Sequence, residues 1–93
     1  MSTEPLVRTV EIVNERGLHA RASAKFVKTA ATFDAEVKVT RDDTCVDAQS
    51  IMGLMMLAAG PGSTIEIAAT GPDADAALDA LCALVGARFD EER

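Results

Sequence analysis

Segments with an apolar residue at every second position alternate along this chain with segments whose apolar residues recur every third and fourth, and little separates them. In residues 6–13, Val10 and Ile12 share a face opposite Thr9 and Glu11, and β-branched residues dominate, which predicts a strand. Asn14-Glu15-Arg16-Gly17 breaks that pattern. Ala20, Ala24, Val27 and Ala31, with Phe26 and Ala30 beside them, then form a helical stripe over about residues 20–31.

Ala35-Glu36-Val37-Lys38-Val39-Thr40 alternates again, Arg41-Asp42-Asp43-Thr44 reads as a turn, and Cys45-Val46-Asp47-Ala48 returns as a short antiparallel strand. Ser50 stands before Ile51, Leu54, Met55 and Leu57, the start of a short second helix that Gly60-Pro61-Gly62 stops. A fourth strand covers residues 63–69, and Gly71-Pro72-Asp73 leads into a last helix with Asp73 as its N-cap. Its stripe is Ala74, Ala77, Leu78, Leu81, Cys82, Val85 and Phe89. The order β-α-β-β-α-β-α, with apolar stripes on the helices and one apolar face per strand, predicts a two-layer α+β sandwich whose second sheet face is wet.

A chain of 93 residues buries roughly 60–65% of the surface its unfolded form exposes, so residues 1–93 are expected to form one domain. Its net charge of −6 and 3% aromatic content argue against a nucleic-acid backbone binder. No apolar run is long enough for a membrane helix, and the polar start Met1-Ser2-Thr3-Glu4-Pro5 lacks the regions of a signal peptide, so a cytoplasmic protein is expected. Cys45 and Cys82 have no metal-type spacing and sit among apolar neighbours, where reduced cysteine serves as a small hydrophobe. Phe26, Phe33 and Phe89 read as core residues.

Charge is unevenly spread: Arg16, Arg21, Lys25 and Lys28 face only Glu15 between residues 14 and 28, while residues 71–93 are acidic. A basic segment on an acidic protein suits an anionic ligand or an acidic partner, although a solvated helix face would look the same. His19, the single histidine, falls where the glycine-containing loop meets the first helix. An anion there would meet the unpaired N–H groups of Ala20 and Arg21, the helix dipole and the Arg21 side chain. Imidazole is nucleophilic near neutral pH and remains a competent leaving group once phosphorylated. Phosphoryl transfer needs mainly alignment and neutralisation of the equatorial oxygens, so no second catalytic side chain is required. Taken alone, His19 could equally be a surface or capping histidine.

Two separated motifs, Gly17-Leu18-His19-Ala20-Arg21 before a helix and Ser50-Ile51-Met52-Gly53-Leu54-Met55 followed by Gly60-Pro61-Gly62, make nearly the whole chain resemble the HPr phosphocarrier family of the phosphotransferase system. The resemblance implies an open-faced sandwich of a four-stranded antiparallel sheet covered on one face by three helices. It also implies that His19 is phosphorylated on Nδ1 by phosphorylated enzyme I, drawing on phosphoenolpyruvate, and hands the group to an EIIA-type acceptor in a sugar or nitrogen-related branch. Arg21 would stabilise the phosphate. Ser50 matches a serine that an ATP-dependent HPr kinase/phosphorylase modifies in many members, although serine before an apolar helical run is also an ordinary N-cap.

Ile51, Met52, Leu54, Met55 and Met56 are too many large apolar side chains for one short helix to bury on a single stripe. The expected docking surface comprises Gly17, Leu18, Ala22, Ile51, Met52, Leu54 and Met55. Ala22 departs from the proline that many members carry there, which leaves a freer helix start. No cofactor, metal, membrane insertion or autonomous turnover is expected, and the carrier is expected to be a monomer. The alternatives are a regulatory interaction module that uses the same surface without transfer and, more remotely, a small-molecule binding domain.

Overall fold

The computed structural model describes residues 4–93, so the first three residues of the polar start, and of the expected single domain, lie outside the described part. The alternating segments become β1 (Leu6–Glu11), β2 (Glu36–Arg41), β3 (Thr44–Asp47) and β4 (Thr64–Thr70), and the striped ones α1 (Ala20–Ala30), α2 (Ile51–Met56) and α3 (Ala74–Gly86). Their order is β-α-β-β-α-β-α, as predicted. The strands form one sheet in the order β1-β4-β2-β3, with every neighbouring pair antiparallel. Among the described residues no helix is long and apolar enough to cross a membrane.

Alternation on the central strands decides which sheet face is covered. Ile65, Ile67 and Ala69 of β4, with Val37 and Val39 of β2, point into the core, while Glu66, Glu36 and Lys38 take the intervening positions. Phe26 of α1, Leu54 of α2, and Leu78, Leu81 and Val85 of α3 close over them, all essentially without exposure. Burying each such side chain contributes about 1.5–3 kcal/mol. Phe26 and Phe89 are core residues as expected, and Phe33 packs at the margin.

Several local expectations are corrected. Helix α2 ends before Gly60-Pro61-Gly62: Ala58 takes the left-handed conformation (φ 51°), and Arg41 Nη1 donates to the carbonyl of Leu57 at 3.0 Å, satisfying an orphaned helix-end acceptor. Asp73 stands at the N-cap of α3 without a capping bond, because its carboxylate accepts from the Asp34 N–H at 2.8 Å instead. Cys45 is exposed and Cys82 only partly buried; both are free, so Cys45 is no packing residue. Phe89 is fully buried but outside α3, which ends at Gly86. Arg88, Phe89 and Asp90 then follow one another with φ of 58°, 53° and 64°, a left-handed turn that reverses the tail.

Candidate functional site

The loop from β1 to α1 is shaped by Gly17 and Asn14. Gly17 has φ +65°, and a Cβ there would lie 2.3 Å from the Ala59 carbonyl oxygen, so the position requires glycine. The neighbouring Leu18 N–H donates to that same oxygen at 2.9 Å, tying the loop to the exit of α2. Asn14 is fully buried, and its Nδ2 donates to the Gly17 carbonyl at 2.9 Å and to Glu91 Oε1 at 3.0 Å. Two oxygen acceptors on that side fix the amide's orientation, and Asn14 Oδ1 accepts no bond among the described residues.

His19 occupies the N-cap of α1 with extended backbone, and its carbonyl accepts the first helical bond from Ser23 N–H at 2.9 Å. Its side chain makes no capping bond, so the imidazole is left for other contacts. The N–H groups of Ala20 and Arg21 belong to the first turn and have no partner within the helix. Arg21 is exposed and forms no ion pair among the described residues, which leaves its guanidinium available to an arriving anion.

The residue that sequence reasoning missed is Glu91. His19 Nε2 lies 2.5 Å from Glu91 Oε2, with the two side chains only 20% and 17% exposed. Partial burial works against ionisation of Glu91, but the hydrogen bonds from Asn14 and His19, with the charges of His19 and Arg16, outweigh it and hold the carboxyl below its ordinary range. Lys25 Nζ donates to the Phe89 carbonyl at 2.6 Å, and Glu15 N–H donates to the Arg93 carbonyl at 2.9 Å, so the returning tail is fastened on both sides of Glu91. The signal was the acidic run Asp90-Glu91-Glu92 opposite a basic segment.

Beside the histidine lies an open basin of about 440 Å³ lined by Glu15, Arg16, Arg21, Lys25 and residues 90–93. The tail therefore offsets much of the positive charge read from residues 14–28. Among the described residues, His, Cys, Asp and Glu nowhere gather in groups that could hold a metal ion.

Helix α2 packs beside α1 and divides the expected docking residues. Leu18, Ala22 and Leu54 are buried, and Gly17 is buried in its turn, so none of them offers a side chain to a partner. Ile51, Met52 and Met55 are exposed at 40%, 72% and 41%, and Met56, absent from the expected set, is exposed at 75%. Ser50 Oγ accepts from Gly53 N–H at 2.8 Å, an N-cap bond at the edge of that apolar patch.

Residues 6–87 match the family model described as the PTS HPr component phosphorylation site. The chain is 54% identical to the phosphocarrier protein HPr of Cupriavidus necator, over 92% of this chain and 97% of that one. It is 51% identical to the phosphocarrier protein NPr of Shewanella violacea, over 92% of this chain and 94% of the relative. Among solved structures, HPr-C-His from Thermoanaerobacter tengcongensis superposes with a TM-score of 0.90 at 41% identity, covering 95% of this chain and 99% of that one.

Proposed function

The chain belongs to the HPr family of phosphocarrier proteins of the phosphotransferase system, and on that premise we propose that His19 accepts a phosphoryl group from phosphorylated enzyme I and delivers it to an EIIA-type acceptor. The observation that carries this reading is the His19 imidazole at the N-cap of α1, free of any capping duty and next to Arg21, which has no ion pair among the described residues. The Nδ1 lone pair forms the new bond to phosphorus as the bond from phosphorus to the donor breaks, and the electron pair leaves with the donor. The backbone N–H groups of Ala20 and Arg21 and the Arg21 guanidinium neutralise the equatorial oxygens. Transfer to the acceptor is the same displacement with the imidazole leaving. Neither step needs a metal or a cofactor from this chain, and the exchange takes place in the cytoplasm between a monomeric carrier and its partners.

Ile51, Met52, Met55 and Met56 supply the apolar docking patch, and methionine's flexible thioether suits a surface that must fit a donor and an acceptor of different shape. Ser50 is the regulatory site, open to an HPr kinase/phosphorylase. A phosphate there would add about two negative charges beside the patch while reinforcing the helix start.

Intact-mass measurement after incubation with phosphoenolpyruvate and enzyme I tests the carrier assignment. One acid-labile phosphoryl group is expected on the native chain and none on His19→Ala with its fold retained. An adduct that survives on the folded His19→Ala variant would move the site elsewhere.

A further inference from the structure

We infer that Glu91 is a positioning residue for phosphoryl transfer, holding the His19 ring so that Nδ1 is the bare, nucleophilic nitrogen; this rests on the carrier reading above. A neutral imidazole has one N–H and one lone pair, and the partner of one nitrogen decides the state of the other. An ionised carboxylate accepts and does not donate, so the nitrogen 2.5 Å from Glu91 Oε2, Nε2, must carry the proton. That leaves the lone pair on Nδ1.

Glu91 is itself held. Its other oxygen, Oε1, accepts from Asn14 Nδ2 at 3.0 Å, and the same amide grips the Gly17 carbonyl, so one buried side chain sets both the loop that carries His19 and the carboxylate that orients it. The left-handed turn through Arg88, Phe89 and Asp90, anchored by buried Phe89, aims the tail at this point. The bonds from Lys25 to the Phe89 carbonyl and from Glu15 to the Arg93 carbonyl keep it there. Arg16 contributes positive charge that favours the ionised carboxylate, while Glu15, Asp90 and Glu92, together with Arg21, Lys25 and Arg93, line the basin alongside.

The proton count through a full cycle follows from this arrangement. When Nδ1 bonds to phosphorus with Nε2–H retained, the ring becomes a phosphorylated imidazolium whose positive charge faces the Glu91 carboxylate. When the phosphoryl group leaves, the electron pair of the N–P bond returns to Nδ1 and the ring is neutral again. The Nε2 proton stays on the ring throughout, so neither transfer waits on a proton donor or acceptor. The division of roles places Glu91 behind the ring and Arg21 with the helix N–H groups around the phosphoryl oxygens.

The test pairs ring nitrogen-15 spectra of His19 with rapid-quench phosphorylation by enzyme I and phosphoenolpyruvate, for the native chain, Glu91→Ala and Glu91→Gln. In its neutral form the native ring is expected almost wholly as the Nε2–H tautomer, and that of Glu91→Ala as a mixture with acceptance slowed at least about tenfold. Glu91→Gln has one oxygen where Asn14 Nδ2 and His19 Nε2–H each need an acceptor, so it should restore the tautomer and the rate only in part. Native-like tautomer balance and rate in a folded Glu91→Ala would overturn the assignment while leaving the carrier reading intact. Failure of the native chain to accept phosphoryl, with enzyme I active on a control carrier, would overturn both.

Discussion

Asn14 reaches Glu91 across 77 positions of sequence, and that 3.0 Å bond is one of those that join the loop carrying His19 to the far end of the chain. Its second amide proton goes to Gly17, so the loop and the tail share one buried donor. Sharing makes the two parts interdependent: a change that frees Asn14 loosens both.

Asn14→Ala is therefore expected to lower stability by about 2–3 kcal/mol, the loss of one buried and one partly buried bond with their acceptors left behind, or a fall in Tm of roughly 10–20 °C for a domain of this size. Asn14→Asp keeps the shape but sets a second carboxylate against Glu91, and should be worse than alanine near neutral pH. Thermal unfolding of the pair checks this. A milder effect for aspartate than for alanine would contradict the donor role of Nδ2.

Gly17→Ala is expected to cost about 2–4 kcal/mol and to slow phosphoryl acceptance, because the left-handed backbone strains a side chain and the added Cβ meets backbone atoms. The Ala59 oxygen at 2.3 Å cannot move aside without releasing its bond from Leu18 N–H, so the disturbance passes to His19 next to it. Denaturant titration gives the first quantity and single-turnover phosphorylation the second. Unchanged kinetics in the destabilised variant would show that His19 is placed independently of this turn.

The elements were legible in the sequence because what makes them is local. Val37 and Val39, or Ile65 and Ile67, alternate within a few residues, and Ser50 caps a helix three positions away. The placement of His19 and Arg21 at the start of α1 was legible because a helix N-terminus is itself a local feature. What escaped was set by distant partners. Asp73 has the sequence of a cap but gives its carboxylate to Asp34, 39 positions away. Glu91 meets His19 from 72 positions away, through a turn of three consecutive non-glycine residues with positive φ that no glycine announces. Leu54 and Met56 differ in exposure only through the helix's rotation against α1, a phase that an apolar run of this length does not reveal.

Acid should undo the tail before it undoes the sheet. Glu91 has a folded-state pKa below its ordinary value, with hydrogen bonds from Asn14 and His19 and the charges of His19 and Arg16 overcoming its burial. Such a carboxyl contributes stability that is fully present above its unfolded value, about 4.3, and is lost as the pH falls through the lower folded value. The stability difference between the native chain and Glu91→Gln should accordingly be largest near neutral pH and shrink below about pH 4. Denaturant titrations of both proteins across that range provide the measurement. A difference that persists undiminished at about pH 3 would mean that the contact does not depend on the carboxylate's charge.

Ser50 separates stability from docking. Its hydroxyl accepts from the Gly53 N–H, so Ser50→Ala should lose about 1 kcal/mol, whereas Ser50→Asp keeps an acceptor and should stay near native stability. The carboxylate nevertheless stands next to Ile51 and Met52 at the edge of the exposed apolar patch, where a partner would have to desolvate it. Ser50→Asp is thus expected to weaken enzyme I binding about tenfold or more, a loss of roughly 1.4 kcal/mol that appears in the complex and not in the free protein. Ser50→Ala should bind as the native chain does. Calorimetric titration beside thermal unfolding reads both quantities, and equal binding by the two variants would remove Ser50 from the docking surface and with it the electrostatic basis for regulation there.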